Sequence, residues 1–157
     1  MKIKLDAADK FFEAVAIISV LANAAIIAFS LSGLPDIIPT HFDFNGVPNQ
    51  YGSKNTLWIT VAVSVFIYML TGIISMFPES FNYPSQKNDK ESQYKLGAKL
   101  MRSLRASVLL FITIVTGVIV QSTKSGTAKG AFWLIALIIA IVSAHLIWFA
   151  IKWRKIK

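Results

Sequence analysis

Four apolar stretches without a Lys, Arg, Asp or Glu set the pattern of this chain: Ala14 to Pro35, Asn55 to Pro78, Ala106 to Thr123 and Gly130 to Ile151. They hold 22, 24, 18 and 22 residues. A hydrocarbon core about 30 Å thick takes about 20 helical residues at 1.5 Å rise, and only helices or closed barrels satisfy their backbone groups there. Uninterrupted apolar runs of this length lack the alternation of barrel strands. The pattern predicts an all-α integral membrane protein with four transmembrane helices, over about residues 11–34, 55–77, 92–123 and 130–152. A structured extracytoplasmic loop, 34–54, joins the first two, a cytoplasmic linker covers 78–91, and the whole of 1–157 reads as a single membrane domain.

Composition agrees with that solvent. Apolar residues make up 55% of the chain and charged residues 15%, against about a quarter charged in soluble domains. The net charge of +8 gains meaning from its distribution. Thirteen of the sixteen Lys and Arg residues lie before the first stretch, between the second and third, or after the fourth. Three remain for the other two connections, Lys54, Lys124 and Lys129. By the positive-inside rule both termini and the middle connection are expected in the cytoplasm of a multi-pass inner-membrane protein, with loop 34–54 facing outward. The lipid bilayer is then the main partner and no nucleic acid is called for. Ala22-Asn23-Ala24 has the small-x-small form of a signal-peptide cleavage site, but the apolar run continues through Ile26, Ile27 and Phe29, so a retained helix is expected.

Loop 34–54 concentrates the unusual residues. Pro35 and Pro39 end the first helix, and Thr40-His41-Phe42-Asp43-Phe44 alternates polar and aromatic side chains as a short extended segment does, which would place His41 and Asp43 on one face. Asn45-Gly46 suits a tight reversal, with Val47-Pro48-Asn49 continuing it, and Ser53 or Asn55 can cap the second helix. His41 with Asp43 has the chemistry of two metal ligands, or of a base and its orienting carboxylate. A third strong ligand would have to come from Asp36, Asn45 or Asn49, so the preferred reading is a loop whose side chains bond its own turns, with no metal, no cofactor and no catalytic residue.

Inside the apolar stretches, Asn23 is expected to make an interhelical hydrogen bond, and His145 to find Glu13 near the cytoplasmic face. The segment 92–105 carries Lys95, Lys99 and Arg102 on one helical face, suited to anionic headgroups or to a cytoplasmic protein. Lys124 to Gly130 is short, so the third and fourth helices should be antiparallel neighbours. Trp133, Trp148 and Trp153 suit interfacial anchoring.

Leu34-Pro35-Asp36, Pro39, His41-Phe42-Asp43, Gly46 and Gly52-Ser53-Lys54 together resemble the loop motif of a bacterial membrane domain of unknown function, shared with the immunity protein family of the sporulation-delaying toxin system. Asn49 stands where that motif usually has Asp. Phe81-Asn82-Tyr83-Pro84 and Gln93-Tyr94 resemble the cytoplasmic linker of some members. The resemblance implies an immunity or receptor role in which Pro35, Asp36, Pro39, His41, Phe42, Asp43, Gly46, Asn49, Gly52, Ser53 and Lys54 recognise a peptide or envelope component. Two alternatives stand beside it. One is a membrane hydrolase using His41 and Asp43 with a divalent metal; the other is a small transporter or complex subunit in which Glu13, Asn23 and His145 line a polar path.

Overall fold

A computed structural model of the protein describes residues 4–43, 45–84, 88–128 and 131–156. Lys2, Phe44, Lys87, Lys129, Gly130 and Lys157, used above in the charge count and the loop pattern, lie outside the described residues. The chain runs α1 (Ala7–Ser30), β1 (Ile37–Phe42), β2 (Pro48–Ser53), α2 (Leu57–Ile74), α3 (Lys90–Ser125) and α4 (Ala131–Arg154). All four helices are long and apolar enough to cross a membrane.

The first helix begins at Ala7 and not near residue 11. Asp6 accepts from the Asp9 amide at 2.9 Å and Asp9 accepts from the Asp6 amide at 3.1 Å, a reciprocal box that satisfies two free donors of the first turn. The helix gives way after Ser30 to a 3-10 turn, Leu31–Gly33, just before Pro35. The third helix stops at Gly126, whose φ of 77° lets its amide reach Ser122 O at 2.8 Å.

Helix α3 is the axis of the bundle. In it 39% of the apolar window is buried, against 6% in α4. Its contact with α1 is a parallel seam of nearly constant sequence offset. Lys99 meets Asp6 and Arg102 meets Asp9, each 93 residues apart; Arg105 meets Glu13 at 92, and Thr113 reaches Ser19 O at 94. Arg102, Ala106, Leu109, Thr113, Thr116 and Val120 are all buried, and their spacing alternates between four and three residues, the repeat that keeps one face of a helix against a partner. Ala16, Ala106 and Leu109 form one apolar cluster on this seam; Ile27, Leu34, Ile38, Leu57 and Val120 form another where the helices meet the hairpin.

Of the basic face expected on 92–105, Lys95 is exposed and Lys99 half-buried, while Arg102 is turned inward together with Arg105. Arg102 and Arg105 are 7% and 4% exposed. Arg102 Nη1 lies 3.1 Å from Asp9 Oδ1 and its Nε 3.6 Å from Glu13 Oε1, while Arg105 pairs with Glu13. The physical reason is that a guanidinium leaving water needs a fixed carboxylate, and the Asp6, Asp9, Glu13 face of α1 supplies three. Arg105 also lies over the Tyr68 ring at 4.9 Å. At Gly72 a β-carbon would come within 3.1 Å of Arg105 Nη1, so the bare backbone of α2 makes room for the cation.

Phe11, Ile18, Leu21, Phe29, Phe66 and Ile147 point away from the bundle and are exposed, the surface that lipid tails cover without cost. In the linker expected over 78–91, the described residues before position 85 pack against the helices. Tyr83 stacks on Trp153 at 5.4 Å between ring centroids, packs beside Tyr94, and donates to Pro78 O at 2.8 Å. Gly97 allows this, because a β-carbon there would meet Tyr83 Oη at 2.5 Å. Trp153, expected at the lipid interface, is consequently buried. Burial pushes the Tyr83 phenol up to about 12.

Candidate functional site

The loop between α1 and α2 folds as an antiparallel hairpin seated on the bundle end opposite the first turn of α1 and the last turn of α4. Residues 37 to 39 pair with 53 to 51 in simple register. Lys54 N donates to Asp36 O at 2.9 Å, which by ladder alternation places Pro39 opposite Tyr51 in a non-bonded pair, so its missing N–H costs no ladder bond. Beyond it the register slips twice, leaving Thr40 extra on β1 and Asn49 extra on β2. Ile38 and Pro39 are buried toward the helices, and Thr40, His41, Asn49, Gln50 and Tyr51 are exposed.

These bulges decide what His41 can touch. Its Nδ1 lies 2.6 Å from Asn49 Oδ1. With Asn49 accepting, Nδ1 carries the proton and a neutral imidazole keeps Nε2 as a free acceptor. Asp43 does not share that arrangement. Its Oδ1 accepts from the amides of Asn45 and Val47, both at 2.9 Å, and closes the turn in which Gly46 takes φ 77°. The expected common face of His41 and Asp43 is lost because the strand is bulged and ends at Phe42. Asn49 gives the imidazole an uncharged partner. Among the described residues no three His, Cys, Asp or Glu side chains gather as a metal site.

Both ends of the hairpin are fixed. At its base Lys54 Nζ donates to Leu34 O at 3.0 Å and lies 3.1 Å from Asp36 Oδ1, while Ser53 Oγ accepts from Asn55 N at 3.3 Å at the entry to α2. At its tip Gly46 O accepts from Ala128 N at 2.9 Å, tying it to the α3–α4 connection. Gly52 lies where a β-carbon would press on Thr40 Cγ2 at 3.1 Å. Pro35, Asp36, Gly46, Gly52, Ser53 and Lys54 thus shape and anchor the hairpin. His41 and Asn49, together with Ile37, Val47, Gln50 and Tyr51, are exposed on the hairpin surface. Tyr51 and Ile37, 62% and 60% exposed, were not among the residues singled out from sequence; their apolar bulk beside a proline-rich turn was the available signal.

The three polar residues expected within the membrane, Glu13, Asn23 and His145, have separate partners. Asn23, fully buried, donates to Ser64 Oγ at 3.2 Å and Thr60 Oγ1 at 3.3 Å, and Thr116 joins them through Thr60 at 3.2 Å. This is the interhelical hydrogen bond expected. Glu13 is taken by Arg102 and Arg105 and not by His145. His145 Nδ1 instead lies 2.7 Å from Ile141 O one turn back, with its ring beside Phe12. No curated protein and no solved structure matches the chain. Residues 17–65, which run from within α1 through the hairpin into α2, match a family model described as a domain of unknown function (DUF1648).

Proposed function

We propose that this is a multi-pass inner-membrane protein of the toxin-immunity or receptor-like type, with cytoplasmic termini and an outward hairpin that recognises an extended peptide or an envelope component. The observation that carries the reading is the state of the hairpin: pinned at base and tip, yet exposed along β2. A surface ordered in advance spends little binding energy on its own ordering. The exposed strand offers main-chain hydrogen-bonding groups to an added peptide strand, with Ile37, Val47 and Tyr51 available for side-chain contact. The cation distribution supports the orientation.

The chain has no cysteine, so single cysteines report sidedness cleanly. Gln50→Cys should react with a membrane-impermeant maleimide on intact cells, and Lys155→Cys only after permeabilisation. A deletion strain challenged with secreted peptides should be rescued by the wild-type chain and not by Tyr51→Pro accumulating to the same level. Labelling of Lys155→Cys in intact cells, or full rescue by the proline variant, would sink the reading.

A further inference from the structure

We propose that the opposite end of the bundle holds a lipid: the headgroup of an anionic phospholipid in a cleft between the chain start, α3 and the last turns of α4, with an acyl chain running down past Trp148. The cleft encloses about 400 Å³ and is lined by Lys4, Lys95, Lys99 and Lys152, against only Asp6 and Asp9. The carboxylates are already taken, Asp6 by Lys99 and Asp9 by Arg102, and Lys95 is held by Glu91. Among the described residues Lys4 and Lys152 have no carboxylate partner. Two ammonium groups thus converge, uncompensated, at the ends of spanning helices, the depth at which lipid phosphates lie.

A second cavity separates a lipid from a soluble anion. It encloses about 260 Å³, shares Trp148 with the first, and is lined by Phe12, Ala144, His145 and Ser103. Trp148 and Lys152 are one turn apart on α4 and lie on the same face, as do His145 and Trp148. A charged opening and a mainly apolar cavity that meet at Trp148 match a headgroup with its chain. Free phosphate would fill only the upper half.

The test uses the full chain purified in neutral detergent and native mass spectrometry, with palmitoyl-oleoyl phosphatidylglycerol and the corresponding phosphatidylcholine offered in equal amounts. Phosphatidylglycerol should be retained preferentially. A cation near an anionic headgroup is worth about fivefold in affinity, so Lys4→Gln with Lys152→Gln should lower retention by more than tenfold. The matched pair Lys10→Gln with Lys155→Gln, at the same end but outside the cleft, should leave it unchanged, and Trp148→Ala should weaken it. Unchanged melting temperatures in lipid-free detergent confirm that the variants fold. Equal retention of the two lipids, equal losses from both lysine pairs, or displacement by millimolar inorganic phosphate would each overturn the assignment.

Discussion

Asp9 Oδ1 and Arg102 Nη1 lie 3.1 Å apart with their side chains 5% and 8% exposed, joining the first turn of α1 to the cytoplasm-side segment of α3 proposed above. The pair belongs to a ladder in which each acid of α1 faces a cation of α3. Removing one charge strands the other, which for buried pairs costs about 3–5 kcal/mol, whereas apolar replacement of both is often near neutral. Arg102→Met should therefore destabilise the detergent-solubilised protein strongly, and Asp9→Leu added to it should recover most of the loss. Equilibrium unfolding of the wild type and these two variants checks this, and a double variant no better than the single one would show that the pair contributes more than mutual neutralisation.

The rung at the end of that ladder should be visible in acid. Lys99, followed by the Asp9 amide, holds the Asp6 carboxyl down at about 2, below its ordinary 3.8. A depressed carboxyl contributes stability that is complete above the unfolded value and is lost as pH falls through the folded one. Wild-type protein should lose this contribution between about pH 4 and pH 2. Asp6→Asn keeps a competent helix cap but lacks the carboxylate, so it should melt below wild type at neutral pH, show a shallower acid limb and converge with wild type near pH 2. Identical acid limbs would show that the Asp6 carboxyl does not carry this part of the acid transition.

Gly97 and Tyr83 test the anchoring of the middle connection. Gly97→Ala drives a methyl into the Tyr83 phenol, an overpacking expected to cost about 1–3 kcal/mol, and should expose the 78–89 connection to protease. In a Tyr83→Ala background the same glycine substitution should cost much less, with only the Phe81 ring at 3.1 Å left to give way. Additive losses in the double variant would mean that Gly97 matters for another reason.

Asp43 is a turn residue in this structure, so its loss should be read locally. Asp43→Ala removes the acceptor for the Asn45 and Val47 amides, worth about 1 kcal/mol in an exposed setting. Amide exchange at Val47 should quicken about fivefold, with a smaller effect at Ala128, whose amide is held by Gly46 O. Exchange in the helices should not change. Loss of the whole fold would show that the hairpin organises the bundle instead of resting on it.

The apolar stretches and the Asn45-Gly46 reversal were legible along the chain because each rests on local chemistry: uncharged length suited to lipid, and a glycine free to take positive φ. Asn23 was legible too, since an amide in an apolar helix has few outcomes besides bonding to a neighbouring helix. The second strand was harder to read, because Pro48–Ser53 acquires its extended form from pairing with β1, and exposed residues there leave no alternation to see.

By itself the sequence determined that four helices form and where their polar breaks fall, because hydrocarbon tolerates no other unsatisfied backbone. Which charges meet was decided only in three dimensions. Lys95, Lys99 and Arg102 look from sequence like one solvated stripe, and Asp6, Asp9 and Glu13 like the hydrated start of a helix. The parallel seam of α1 and α3 brings residues about 93 positions apart into contact and joins Lys99 and Arg102 to Asp6 and Asp9 in one ladder, buried at Arg102 and open at Lys99, while Lys95 stays with Glu91 on its own helix. In the same way, two one-residue bulges gave His41 to Asn49 and left Asp43 to the turn. Local pattern sets what a segment can be; pairing across the fold sets what each side chain touches, because register is a property of two elements and is written in neither alone.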